Sequence, residues 1–420
     1  MAHPVSTVTP HQHELGVTPA SEPAPSPAVT PPPGNPRFAL FDSLRGLAVL
    51  CIIAYHVTSI TGAINGGFAG DLYAVLGNQA LILFFVISGF LLYRPYAAAH
   101  AAGRRRPSTR RYARRRALRI LPAYWTALTV LAIFPGIVGV LTGDWWRYYF
   151  FAQEYSSRTL GGGIPPAWSL GVEVLFYISL PVWALLVRQV HGRLMPRSWL
   201  ASELAPLALV MAFGALVQLA ASRLVVSSLL ATTILGECTW VALGMTLAVA
   251  SVAAAHRSAP PAPVRFVTAR PGWCWIGALA CLIAATLILH PGGLFNIIVS
   301  LRTKQPYART VASILLTGAL ATLLVAPAVF GDEAGGWPRR VLAWGPLAWL
   351  GLVSYGVYLY HLTIAGLLGE TRDPAHFSAR GLGLSSSTPV LFLLTLAGSA
   401  AAAALSYYLV ELRFLRRKEG

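Results

Sequence analysis

Apolar residues in this chain come in long unbroken runs, not in the alternation of a half-buried strand or the single stripe of a surface helix. From Arg37 onward ten such runs stand out, at about 40–61, 75–93, 120–141, 168–187, 202–221, 226–255, 273–290, 308–330, 343–366 and 387–410. A helix crossing a bilayer needs roughly 20 apolar residues. The pattern therefore predicts an all-α integral membrane protein, a bundle of about ten transmembrane helices with short connections. The run at 226–255 is longer than one crossing needs, which implies a tilt or a break. No pair of runs reads as an internal repeat.

The polar remainder divides the chain. Residues 1–36 hold ten prolines and no Lys or Arg, and they lack the basic start and apolar stretch of a secretory signal. They read as a disordered, Pro-rich cytoplasmic tail in which His3, His11 and His13 are solvated rather than metal-binding. Residues 37–411 form the membrane domain, and 412–420 a basic cytoplasmic C-terminal tail.

Composition supports this division. Hydrophobic residues make up 55% of the chain and charged ones 11%, with a mean hydropathy of +0.60, whereas soluble domains carry about 25% charged residues. The net charge of +17 could point to nucleic acid, but most of the basic residues sit in short loops between the runs, so no nucleic-acid partner is expected. With a cytoplasmic N-terminus, 23 of the 32 Lys and Arg face the cytoplasm and 8 the opposite side, with Arg45 inside the first span. The positive-inside rule then places both termini in the cytoplasm, and the expected location is the plasma membrane, multi-pass and in contact with lipid. Cys51, Cys238, Cys274 and Cys281 lie inside apolar runs without metal-ligand spacing, so neither a disulfide framework nor a metal site is indicated.

Within the runs, a few polar residues carry the chemistry. In the first span Arg45 and His56 are eleven residues apart, about three turns, on one face with a rise of roughly 16 Å. That spacing puts Arg45 near the cytoplasmic end and His56 near the bilayer middle. Ionisable residues at such depth usually face a cavity or a partner; a satisfied core histidine with an orienting arginine fits the spacing equally well. In the second span Ser88-Gly89 permits close helix packing or lines a narrow channel.

The loop before the third run is rich in arginine. Arg115, Arg116 and Arg119, nearest the helix, offer bidentate geometry to phosphate oxygens; topology and lipid headgroups account for several of their neighbours. The fourth span opens Trp168-Ser169-Leu170-Gly171-Val172-Glu173, and Ser169, Glu173 and Tyr177 share a face. Ser169 is four residues before Glu173, not the three of an ordinary capping box; a partnered structural acid remains the other reading. Ser354, Tyr358 and His361 form one polar stripe in the ninth span, with a Tyr-bonded structural histidine as the alternative. Glu237 is a further intramembrane acid with no motif around it.

Taken in order, these residues resemble the membrane-bound acyltransferase family 3, O-acyltransferases of sugars, cell-surface polymers and antibiotics. Five blocks carry the resemblance: Asp42-x-x-Arg45 with His56; Phe84-Phe85-x-x-Ser88-Gly89-Phe90; Arg115-Arg116-x-x-Arg119-Ile120-x-Pro122-x-Tyr124; Trp168-Ser169-Leu170-x-x-Glu173-x-x-Phe176-Tyr177; and Ser354-Tyr355-x-x-Tyr358-Leu359-x-His361. The resemblance implies that Arg45 and His56 are the essential pair for acyl transfer. Glu411-Leu412-Arg413 departs from the family's usual ending and carries no functional expectation. Longer relatives append an extracytoplasmic esterase-like domain that this sequence lacks, which leans towards a small glycosylated metabolite or a lipid-linked sugar as acceptor.

Residues and resemblance together predict a mechanism. Acyl-CoA serves as donor substrate, with no permanently bound cofactor, and enters from the cytoplasm with Arg115, Arg116 and Arg119 on its phosphates and Tyr124 and Ser88 along its path. His56 acts as general base on the acceptor hydroxyl, or carries the acyl group covalently. Asp42 and Arg45 position the donor or the histidine, with Glu173 as a further catalytic group. Trp168, Ser169, Tyr177, Ser354, Tyr358 and His361 surround the hydroxyl-bearing acceptor. The rival readings are a proton-coupled transporter, against which the missing repeat counts, and a lipid-binding scaffold, in which Arg45 and His56 would be replaceable.

Overall fold

The computed structural model describes residues 38–416 apart from 197, 225, 290–303, 332–334 and 370–380. The chain divides into Met1–Pro36 and Arg37–Gly420. The first unit, with the expected tail and its three histidines, lies outside the described residues, as do 417–420 of the C-terminal tail.

Helices take up every apolar run, and no β-strand occurs among the described residues. In chain order they are α1 (Leu40–Ile60), α2 (Gly67–Ala101), α3 (Thr109–Ile133) and α4 (Trp168–Leu194). Then come α5 (Trp199–Ser222), α6 (Ile234–Ala255), α7 (Pro271–Leu289) and α8 (Tyr307–Val329). The series closes with α9 (Gly345–Leu352), α10 (Ser354–Leu368) and α11 (Thr388–Ser406). Among the described residues, eight spans are long and apolar enough to cross a bilayer, or nine if α9 and α10, bent by 77° at Val353, make one span. The tenth expected span corresponds to α3, whose first turns are basic.

Local chemistry sets boundaries that hydropathy alone misplaces. The run at 120–141 becomes a helix starting at Thr109, because the Ser108 side chain accepts from the Arg111 N–H and caps a basic first turn. It stops at Ile133, since Phe134 precedes Pro135 and is held extended. The long run at 226–255 is broken: a 3-10 turn at Ser228–Thr232 comes first, and α6 starts where the Thr233 side chain caps Leu235 N–H. The last span ends in a π-helical turn, Tyr407–Glu411, and continues as helix to Arg416, past the boundary expected at 411.

Glycines let the central helices touch. A Cβ on Gly351 of α9 would come within 1.6 Å of the Asp42 carbonyl oxygen, and one on Gly46 of α1 within 2.5 Å of the Leu347 carbonyl oxygen. Gly89 of α2 and Gly244 of α6 make the same kind of crossing, each against the other helix's backbone. The main apolar core forms around α1, α2, α4 and α6, and a second core packs α3, α10 and the 134–164 connection around Tyr124, Tyr148 and Tyr358. Leu209, Phe213 and Leu216 of α5 are exposed, as suits a helix whose partner on that side is lipid rather than protein. Where α2 meets α5 one acid is buried: Glu203 accepts from the Tyr93 hydroxyl and pairs with His100 Nδ1 at 2.6 Å.

Candidate active site

The site begins on α1. Asp42 and Arg45 are one turn apart, and Arg45 Nη1 donates to Asp42 Oδ1 at 3.0 Å. Arg45 also interacts electrostatically with Arg119 of α3 and with Glu173 and Tyr177 of α4. Glu173 Oε1 accepts from Ser88 Oγ of α2 at 2.6 Å and from the Tyr177 hydroxyl. The Ser88-Gly89 pair therefore has two jobs: the glycine lets α2 approach α6, and the serine reaches the acid. The Arg116 guanidinium lies over the Tyr177 ring at 6.0 Å, and its buried Nε has no hydrogen-bond partner among the described residues.

A second group lies further along α1. The His56 and His361 rings, from α1 and α10, are 5.1 Å apart, and Tyr358 is one turn before His361 with its ring at 6.0 Å. Ser169 Oγ and the Tyr358 hydroxyl share a hydrogen bond of 2.7 Å, and Tyr358 also donates to the Pro166 carbonyl. Ser169 is one turn before Glu173 on α4, so that helix connects the two groups. Together they make a polar column about 16 Å long through an apolar bundle, judged from the rise between Arg45 and His56.

The other expected residues stand in different surroundings. His56 is the seventeenth of the 21 residues of α1, close to the end opposite Arg45. Tyr124 stands away from the arginines: it is buried in the second core, stacked on Phe151 at 4.3 Å, and its hydroxyl is used on the Tyr148 carbonyl at 2.7 Å. Arg115, one turn before Arg119 on the same helix, is exposed, and no hydrogen bond or ion pair joins it to the cluster among the described residues. Ser354 is buried at the bend that starts α10, two turns before His361. Trp168 is half-buried against the main core.

Two buried acids carried no functional expectation from the sequence. Glu411 is 2% exposed, and its Oε2 lies 3.8 Å from Arg119 Nη1. Its place in the π-helical turn, a distortion frequent at functional sites, is invisible to hydropathy. Glu154, in the connection before α4, is fully buried with both carboxyl oxygens unpartnered among the described residues. Its Oε1 packs on Gly171, where a Cβ would come within 2.0 Å. Burial raises its pKa from 4.5 to about 7. The only sequence signal was an acid between aromatic residues. Among the described residues, no group of three or more His, Cys, Asp or Glu could hold a metal ion.

The sequence also has recognisable relatives. The chain is 24% identical over 352 residues to the peptidoglycan O-acetyltransferase OatA of Listeria monocytogenes, covering 78% of this chain but 49% of that protein. It therefore spans about half the length of that relative. It is 28% identical to the exopolysaccharide production protein ExoZ of Rhizobium meliloti, over 81% of this chain and 90% of that one. A shorter match, 27% identical over 39% of this chain and 43% of the relative, is to the acyltransferase MdmB of Streptomyces mycarofaciens. No solved structure matches the chain. With residues 38–407 matching the family's acyltransferase domain, nearly the whole described bundle is accounted for, and the chain belongs to that family of membrane acyltransferases.

Proposed function

We propose that the protein is a membrane-embedded O-acyltransferase that takes an acyl group, acetyl or another short chain, from acyl-CoA and passes it to a hydroxyl of a sugar-containing or small-metabolite acceptor. The observation that carries this reading is the polar column: arginines at one end, a histidine pair at the other, and Glu173 between them. Its length is near that of an extended pantetheine arm, so phosphates at Arg116 and Arg119 leave the thioester at His56.

Other observations support the donor side. Arg105, Arg106 and Arg188 line an open surface groove at the start of α3, with Ser108 and Thr109, and helix N-termini with arginines suit phosphate. The basic loops favour cytoplasmic termini in the plasma membrane. The relatives' names speak of peptidoglycan and exopolysaccharide, which favours a carbohydrate acceptor. His56 then takes the acceptor's proton as general base, or becomes acylated first.

The test incubates membranes carrying wild type or His56→Ala with radiolabelled acetyl-CoA and an extract of small glycosides and lipid-linked sugars. Labelled product from wild type alone, at equal membrane expression, supports the reading. Equal transfer by the variant removes His56 from the mechanism, and no transfer by either protein across several acyl-CoAs counts against the donor.

A further inference from the structure

His361 lies in the middle of α10 with no exposed surface. Its Nδ1 is 2.9 Å from the Tyr358 carbonyl oxygen and 3.2 Å from that of Val357. Carbonyl oxygens only accept, so Nδ1 bears the hydrogen and, in the neutral ring, Nε2 bears the lone pair. That Nε2 is buried and has no partner among the described residues. Buried polar atoms are nearly always paired, and an exception calls for a reason. Packing does not supply one: the nearby Tyr358 hydroxyl is already engaged by Ser169 and Pro166, and no carboxylate makes an ion pair with His361 among the described residues. The neighbour that remains is the His56 ring, 5.1 Å away and tilted by 47°.

We propose that His361 is the proton-relay and positioning partner of His56, a role that rests on the reading of His56 as general base. The acceptor hydroxyl gives its proton to one nitrogen of His56 while its oxygen bonds to the acyl carbon. The carbon–sulfur bond breaks with its electron pair going to sulfur. His56 then carries hydrogen on both nitrogens, and the one facing α10 is donated to His361 Nε2. The proton returns through His56 to the CoA thiolate, which leaves both rings neutral and the thiol complete. The His56–His361 bond closes in the loaded site, as catalytic hydrogen bonds often do. In this arrangement a backbone-anchored imidazole fills the place that a carboxylate holds behind the histidine of a hydrolase triad.

The test uses the purified full-length protein in detergent, with radiolabelled acetyl-CoA as donor and methyl β-D-glucopyranoside as acceptor probe. In His361→Gln the amide oxygen can replace the Nε2 acceptor; in His361→Phe only the ring packing is kept. A relay predicts that the Phe variant loses ~100-fold or more in kcat with KM for acetyl-CoA little changed, and that the Gln variant keeps roughly a tenth of wild-type activity or better. A packing role predicts the reverse order, and that result, or equal loss in two folded variants, overturns the proposal. A second readout needs no turnover: in protein labelled with 15N-histidine, the His56 signals, assigned by their loss in His56→Ala, move in His361→Phe. Unmoved signals overturn the pairing. If wild type transfers no label to the probe, the fault lies with the assumed substrates, and the 15N comparison alone decides the relay.

Discussion

Gly351 of α9 lies directly on the backbone of Asp42 of α1, so close that a Cβ would stand 1.6 Å from the Asp42 carbonyl oxygen. The obstacle is main chain, which cannot rotate away as a side chain can. Asp42 in turn holds Arg45, so this crossing positions the site as well as the bundle. Gly351→Ala is expected to destabilise the protein by roughly 2 kcal/mol or more, as overpacking does, and to lower activity in the fraction that folds. Gly345, in the first turn of α9, meets nothing within 4 Å, and Gly345→Ala serves as the tolerated control. Thermal unfolding in detergent reads both.

Glu173 receives two hydroxyl donors, Ser88 and Tyr177, and sits midway in the polar column. Glu173→Gln is expected to lower acyl transfer at least ~100-fold if the carboxylate takes part in catalysis. Ser88→Ala, which removes one hydrogen bond to a charged group, is expected to cost about tenfold, from roughly 1.5 kcal/mol. Because the two groups touch, the double variant should lose much less than the product of the single losses. Multiplicative losses would mean that Ser88 and Glu173 act independently.

The arginines of the basic loop divide by their burial on α3. Arg116 and Arg119 face the column, and each Ala variant is expected to raise KM for acyl-CoA about tenfold, by analogy with lost charge-assisted hydrogen bonds. Arg115 is exposed, so Arg115→Ala should change KM by less than about twofold, as surface charges generally do. Initial rates at varied acetyl-CoA concentration separate the three. A larger effect at Arg115 would show that the phosphates reach the exposed turn of α3 that precedes Arg119.

Glu154 gives a pH dependence with a defined sign. Burial raises its pKa from 4.5 to about 7, so the folded protein holds a proton that the unfolded chain releases. Its contribution is neutral below about pH 4.5, turns increasingly unfavourable towards pH 7 and is then constant, at roughly 3 kcal/mol for a shift of this size. Glu154→Gln keeps the shape without the charge. The variant should match wild type in thermal stability near pH 4.5 and exceed it at pH 8. Equal curves at both values would mean that the folded protein binds no extra proton at this position.

The class of protein was readable from the sequence, because twenty-residue apolar runs have few other uses and each run became largely helical. The motif blocks were readable for the same local reason. Residues one turn apart on a helix share a face whatever surrounds them, so Asp42 with Arg45, and Ser169 with Glu173 and Tyr177, could be grouped before any fold was known. Boundaries were less legible: the cap at Ser108 and the break before α6 depend on single polar side chains that a hydropathy average dilutes. That the Tyr124 hydroxyl is used on the Tyr148 carbonyl was not legible, because a motif position says nothing of where a hydroxyl points.

What the sequence by itself determined was the set of helices and the polar faces along them, since both follow from periodicity within one segment. Only the tertiary structure decided which faces meet: Ser88 on Glu173 across 85 residues, Arg119 on Glu411 at the last span, and His56 beside His361. The physical reason is that contacts between helices are set by where backbones can approach, at Gly46, Gly89, Gly244 and Gly351, and by the cost of leaving a polar group unpaired among apolar neighbours. Both are properties of the packed bundle rather than of any one run.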